Sequence, residues 1–118
     1  MRHLLLLPLI TAASMVAADP AVIREVQAEA TDRGWTFHVT IEHPDTGWGD
    51  YADGWRVEDA DGNVLGFREL LHPHVNEQPF TRSLSGVVIP AGVTEVFIRA
   101  RTNVTDWDTA TEYVVLPH

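Results

Sequence analysis

The chain has 118 residues, with eight arginines, no lysine and 17 acidic side chains, for a net charge of −9. So acidic a domain repels phosphate backbones and anionic lipid surfaces, which argues against a nucleic-acid partner. There is no cysteine, and Met1 and Met15 are the only methionines. Beyond Met15 the chain is therefore free of sulfur, which excludes thiolate nucleophiles, redox pairs, iron–sulfur clusters and blue-copper sites.

The chain opens as an export signal. Met1-Arg2-His3 is a short positive start, Leu4 to Ile10 is apolar except for Pro8, and Val16-Ala17-Ala18 has the small residues of a cleavage site. Residues 1–18 are read as a signal peptide removed after Ala18, and 19–118 as one domain, exported to a periplasm or the exterior. The apolar stretch from Leu4 to Ala18 is too short and wrongly flanked for a bilayer span, so no membrane insertion is expected after cleavage. Cleavage removes only Arg2 among the charged residues, leaving seven arginines against 17 acids and a net charge of −10.

Beyond the leader the hydrophobic period is two. A first strand is expected near Val22 to Glu29, although Ala21 to Ala30 also admits a helical reading. Trp35, Phe37, Val39 and Ile41 alternate with Thr36, His38, Thr40 and Glu42, the pattern of a half-buried strand. Trp55 and Val57 alternate with Arg56 and Glu58, Asp61-Gly62 signals a tight hairpin, and Val64 to Leu71 returns beside them. Phe80 to Ile89 is closed by Pro90-Ala91-Gly92, Val96, Ile98 and Ala100 alternate with Phe97, Arg99 and Arg101, and Thr111 to Leu116 is the last strand. Trp35 and Trp55 are expected in the core. Seven short strands separated by turns predict an all-β sandwich.

Ser83-Leu84-Ser85-Gly86-Val87-Val88-Ile89-Pro90 and Thr94-Glu95-Val96-Phe97-Ile98-Arg99-Ala100 resemble the fifth and sixth strands of fibronectin type III and related immunoglobulin-like domains. Trp55 resembles the core tryptophan of the wider group. The resemblance spans most of Ala21 to Pro117 and implies a seven-stranded immunoglobulin-like sandwich without the cysteine pair of antibody domains. The His72-Pro73-His74 loop is also similar to loops of small exported bacterial proteins of unknown function. Neither likeness implies an activity.

In such a topology alternate connections share an end. Ala30 to Gly34, Ala60 to Asn63 and Pro90 to Val93 are short turns with a glycine each, whereas His43 to Gly54, His72 to Pro79 and Thr102 to Thr109 are long and chemically rich. The long loops would gather His43, His72 and His74 at one end. Extended geometry at His72-Pro73-His74 sets the two histidine Cα atoms ~6.5–7 Å apart, near enough for both rings to reach one ion. A divalent transition metal is therefore expected on His43, His72, His74 and Glu77, as Zn, Cu(II) or Ni, since only nitrogen and oxygen donors are present. The competing expectation is a metal-free adhesion, protein-interaction or carbohydrate-binding domain. There Trp48, Tyr51 and Trp107 offer ring faces, with Asp50 and Asp53 beside them for polar contacts.

The remaining motifs read more plainly. Asp59-Ala60-Asp61-Gly62-Asn63 has its glycine too early for an EF-hand and lacks the closing glutamate, so it is a turn. Ser83 and Ser85 stand in a strand without a nucleophile elbow. Asn103-Val104-Thr105 matches a glycosylation acceptor. Phe97, Arg99 and Arg101 share one outward strand face, open to a partner or packed on themselves. No base is set against a nucleophile, so the expectation is an exported binding module and no enzyme, whose partner is an unknown protein or small ligand.

Overall fold

The computed structural model describes residues 18–117, so the expected leader lies outside the described residues except for Ala18. Among the described residues there is no helix, and the segment that admitted a helical reading is a strand, β1, Val22–Thr31. It is followed by β2 (Gly34–Glu42), β3 (Ala52–Glu58), β4 (Val64–Glu69), β5 (Phe80–Val87), β6 (Glu95–Thr102), β7 (Asp106–Trp107) and β8 (Glu112–Val115). Two sheets form, one in the order β1-β2-β5 and the other β4-β3-β6, with β7 and β8 both paired to β6. All the pairings are antiparallel.

Among the described residues the strand count is eight where seven were expected. β7 lies on the C-terminal part of β6, pairing Arg101 with Trp107, and β8 lies on its N-terminal part, pairing Phe97 with Tyr113. The segment between them turns aside, and its Asp108 and Thr109 carbonyls accept from the Arg99 Nη1 at 2.6 and 3.2 Å. A two-residue strand is too short to show a period.

Alternation places the core as the sequence suggested. Phe37, Val39 and Ile41 of β2, Trp55 and Val57 of β3, and Val96, Ile98 and Ala100 of β6 are buried together. Trp55 is wholly enclosed, while Trp35 is only half-buried against the rim of this cluster. At the plain end, Gly34 has φ +107°, and a Cβ there would meet the Val87 carbonyl oxygen at 2.8 Å, so the turn and the approach of β5 both require glycine. Asp59 closes the β3–β4 turn by accepting from the Asp61 and Asn63 amides at 2.9 and 2.8 Å. Those bonds account for the acidic pentapeptide as a turn.

The register fixes which connections share a pole. Val22 pairs with Glu42, Ile41 with Phe80, and Ala52 with Thr102. The start of β1, the β2–β3 loop, the β4–β5 loop and the β6–β7 loop therefore lie at one end.

Candidate functional site

The long loops meet around one buried carboxylate. Asp45 leaves β2 two residues after His43, and its side chain is fully enclosed. Its Oδ1 accepts from His43 Nδ1 at 2.6 Å and from the Ala52 amide at 3.0 Å, and its Oδ2 accepts from the His74 amide at 2.8 Å. One side chain thus ties the β2–β3 loop to the start of β3 and to the β4–β5 loop. Gln78 adds a second tie, accepting from the His43 amide at 3.0 Å and donating to the His74 carbonyl at 2.9 Å. Asn103 brings in the β6–β7 loop by donating to the Trp48 carbonyl at 3.0 Å and accepting from the Tyr51 amide at 2.8 Å.

The expected three-nitrogen metal set is not assembled in this arrangement. The His43 ring is fully enclosed, with Nδ1 on Asp45 and Nε2 at 3.0 Å from the Asp19 carbonyl oxygen. Both nitrogens face acceptors, so neither presents a lone pair outward. His74 is buried and stacked on Phe80, ring centroids 4.0 Å apart. Its Nε2 lies 2.8 Å from Arg82 Nη2. A guanidinium only donates, so Nε2 accepts and Nδ1 carries the proton, without a partner. Burial, then the Arg82 charge, then His72 hold the His74 pKa below its usual value, favouring the neutral ring. His72 is exposed, its ring 4.7 Å from that of His74. Glu77 lies 3.6 Å from Arg82 Nη1. Among the described residues no three His, Asp or Glu side chains are grouped to hold a metal ion.

The aromatic and acidic residues divide between two places. Trp48, Tyr51 and Asp50 stay at the loop end, where Trp48 meets Tyr51 edge-on at 5.6 Å and remains 67% exposed. Asp50 Oδ1 lies 3.6 Å from His43 Nε2, beyond hydrogen-bond reach. Trp107 and Asp53 belong instead to the outer face of the second sheet. Trp107 lies under the Arg56 guanidinium at 4.0 Å and meets Phe67 in a T-shaped contact at 5.8 Å, so one of its ring faces is occupied by arginine. Asp53 lies 3.7 Å from Arg101 Nε, yet burial outweighs that charge and raises its carboxyl above the usual range.

Beside them is a cluster the sequence showed only as alternating charges. Glu58 is nearly enclosed and accepts from Arg99 Nε at 2.7 Å, Arg99 Nη2 at 3.1 Å and Arg56 Nε at 2.6 Å. Those bonds, Arg99 first, hold its carboxyl below the usual range despite desolvation. The outward reading of Phe97, Arg99 and Arg101 therefore resolves into internal packing on that face, with Phe97 against Tyr113 at 5.5 Å.

On the outer face of the first sheet, His38 bridges Ser83 Oγ at 2.6 Å and Glu29 Oε1 at 3.1 Å. Ser83 stands on a flat strand without a turn to aim it, and the neighbouring Thr40–Thr81 pair at 2.7 Å repeats the pattern, so this is cross-strand pairing.

Sequence reasoning missed Asp45, Gln78, Arg82 and Asn103 as the loop ties. Their signal was position: each polar side chain sits in or beside a long loop, where buried backbone groups need partners.

Exposed apolar side chains occur in all three loops. Trp48 stands in the first, Leu71 (69% exposed) and Val75 (51%) in the second, and Val104 (51%) in the third. The tied loops therefore carry four exposed apolar side chains, as the rest of the surface does at Val64, Phe67, Val88 and Val115.

No protein-family model and no solved structure match the chain. Over 70 residues, 59% of this chain, it is 47% identical to a protein of Halomicrobium mukohataei named "Putative lipoprotein". The matched stretch covers 34% of that protein, so the chain spans about a third of the length of the curated relative.

Proposed function

We propose that the chain is an exported cell-envelope binding module of the immunoglobulin-like, fibronectin type III-like class, docking through its loop end without a metal and without catalysis. The carrying observation is that three loops locked together by Asp45, Gln78 and Asn103 display exposed Trp48, Leu71, Val75 and Val104. Preformed loops spare the ordering cost of binding, which favours a recognition role. The strand orders β1-β2-β5 and β4-β3-β6, with β8 closing on β6, support the immunoglobulin-like class. The relative's name supports the envelope, and since none of the 118 residues is cysteine, a thioether-linked lipid would have to sit outside them.

The reading is tested by binding of the untagged chain to isolated envelopes of the producing cell. Replacing Trp48 by alanine together with Leu71 by serine is expected to weaken binding about tenfold or more. Phe97→Ser with Tyr113→Ser, on the sheet face, leaves it unchanged. The opposite ranking moves the docking surface to the sheet.

A second reading keeps a transition metal on His72 and His74, favoured by their 4.7 Å ring separation and by the partnerless His74 Nδ1. It requires the His74 proton to leave Nδ1 and Arg82 to yield Nε2. Calorimetry with Zn, Cu(II) and Ni separates the readings. An affinity that disappears in a His72→Ala/His74→Ala variant supports the metal, and one that persists removes these two ligands.

A further inference from the structure

The tip of the β6–β7 hairpin carries the chain's one Asn-x-Thr triplet, Asn103-Val104-Thr105. Asn63 and Asn76, the other asparagines, are followed two residues on by Leu65 and Gln78, so they lack the hydroxyl that a glycosylation acceptor requires. Thr102 builds the turn. Its Oγ1 accepts from the Val104 and Thr105 amides at 3.3 and 2.9 Å and meets Thr105 Oγ1 at 2.7 Å. Asn103, Val104 and Thr105 are all exposed. Asp106 closes the turn at φ +62°, and the two residues of β7 are all that pair the returning chain there. A tip held this lightly can open to an enzyme while the core stays folded.

We infer that Asn103 is an N-glycosylation site, its Nδ2 taking a sugar chain from a lipid-phosphate-linked oligosaccharide. The inference goes beyond docking and rests only on the exported half of the reading above, because such donors act on the exported side of a membrane. In the transfer Nδ2 bonds to the anomeric carbon, and the bond from that carbon to the phosphate oxygen breaks. The lipid phosphate leaves with the electron pair, and one amide proton passes to a base of the transferase. The asparagine carbonyl is untouched, so Oδ1 still accepts from the Tyr51 amide, now at 2.8 Å. Nδ2 has two hydrogens and donates one of them, to the Trp48 carbonyl at 3.0 Å. The second hydrogen is unspent on an exposed side chain. The sugar leaves the domain beside Trp48, adding a hydrated bulk to the loop end.

The test is the mass of the peptide carrying Asn103, from the chain purified out of its producing cell. The expected result is an increment of whole sugar residues that fragmentation places on Asn103. Thr105→Ser keeps the hydroxyl and is expected to keep the increment, whereas Thr105→Ala and Asn103→Gln lose it. Asn103→Gln also disturbs the bonds to Trp48 and Tyr51, so the two Thr105 variants carry the comparison, with matched thermal midpoints as the check on folding. The inference is overturned if Asn103 is unmodified in the wild type, if the increment persists in Thr105→Ala, or if it maps to a serine or threonine. Cytoplasm, envelope and medium of the same cells are separated in parallel. An unmodified chain in envelope or medium refutes the glycan alone, and an unmodified chain held in the cytoplasm refutes export as well.

Discussion

Asp45 shows how one side chain organises a pole of the molecule. Its two oxygens receive three donors from three separate places, all out of water. Removing the carboxylate orphans an imidazole N–H and two amides at once, so Asp45→Ala is expected to cost about 3–5 kcal/mol in denaturant unfolding. Asp45→Asn keeps the shape but turns an N–H towards one of the donors, for a loss of about 2–3 kcal/mol. His74 makes the pH prediction. Its folded-state pKa lies below the usual 6.5, so the unfolded chain binds the extra proton first. Stability is then full above about pH 6.5 and falls as the pH drops below it towards the depressed value. Unfolding at pH 7.5 and 5.5 is expected to show this loss in the wild type and a smaller one in His74→Gln. The histidines were legible as belonging to one pole, because topology alone gathers them. Their roles were not: an imidazole on a carboxylate and one presented to an ion look alike until the partner of each nitrogen is known.

The strands themselves were largely readable. Burial alternates strictly along β6 and from Phe37 to Glu42 of β2, because one face lies on the core and one away from it, whereas in β3 Gly54 and Glu58 are buried out of phase. β7 was not readable, since two residues hold no period and its pairing depends on where Arg101 lies. The face shared by β3 and β6 places Arg56 directly across from Arg99, a repulsive pair unless an anion stands between them. Glu58 is that anion. Glu58→Gln is expected to destabilise by about 2–4 kcal/mol, because two guanidiniums lose their shared counter-charge in a nearly enclosed place. Its lowered pKa fixes the sign of the acid response: the contribution is present above about pH 4.5 and disappears as the pH falls through the depressed value. Unfolding curves at pH 7 and pH 3.5 check both statements, with Glu58→Gln losing less on acidification than the wild type.

At the scale of the whole molecule, net charge acts on stability in a way that no single contact expresses. Eight arginines against 17 acids leave a strong self-repulsion, relieved among the described residues by surface pairs such as Arg24–Glu42 and Arg101–Asp106 and by the Glu58 cluster. Salt screens such repulsion over about 10 Å at 0.1 M and about 3 Å at 1 M. The thermal midpoint is therefore expected to rise steadily with sodium chloride, and a fall with added salt contradicts this balance.

Three of the border strands of the sandwich resist unwanted pairing. β1 borders its sheet, but it is interrupted by a bulge at Arg24 and studded with Glu25 and Glu29. On the other sheet, the division into β7 and β8 leaves borders of only two and four residues. The remaining borders are β5 and β4, of eight and six residues, while interruption and charge at β1 and the shortness of β7 and β8 make those three poor templates for a stray chain. The absence of cysteine leaves these strands without a covalent brace, and interruption and like charge at β1 oppose fibril growth there.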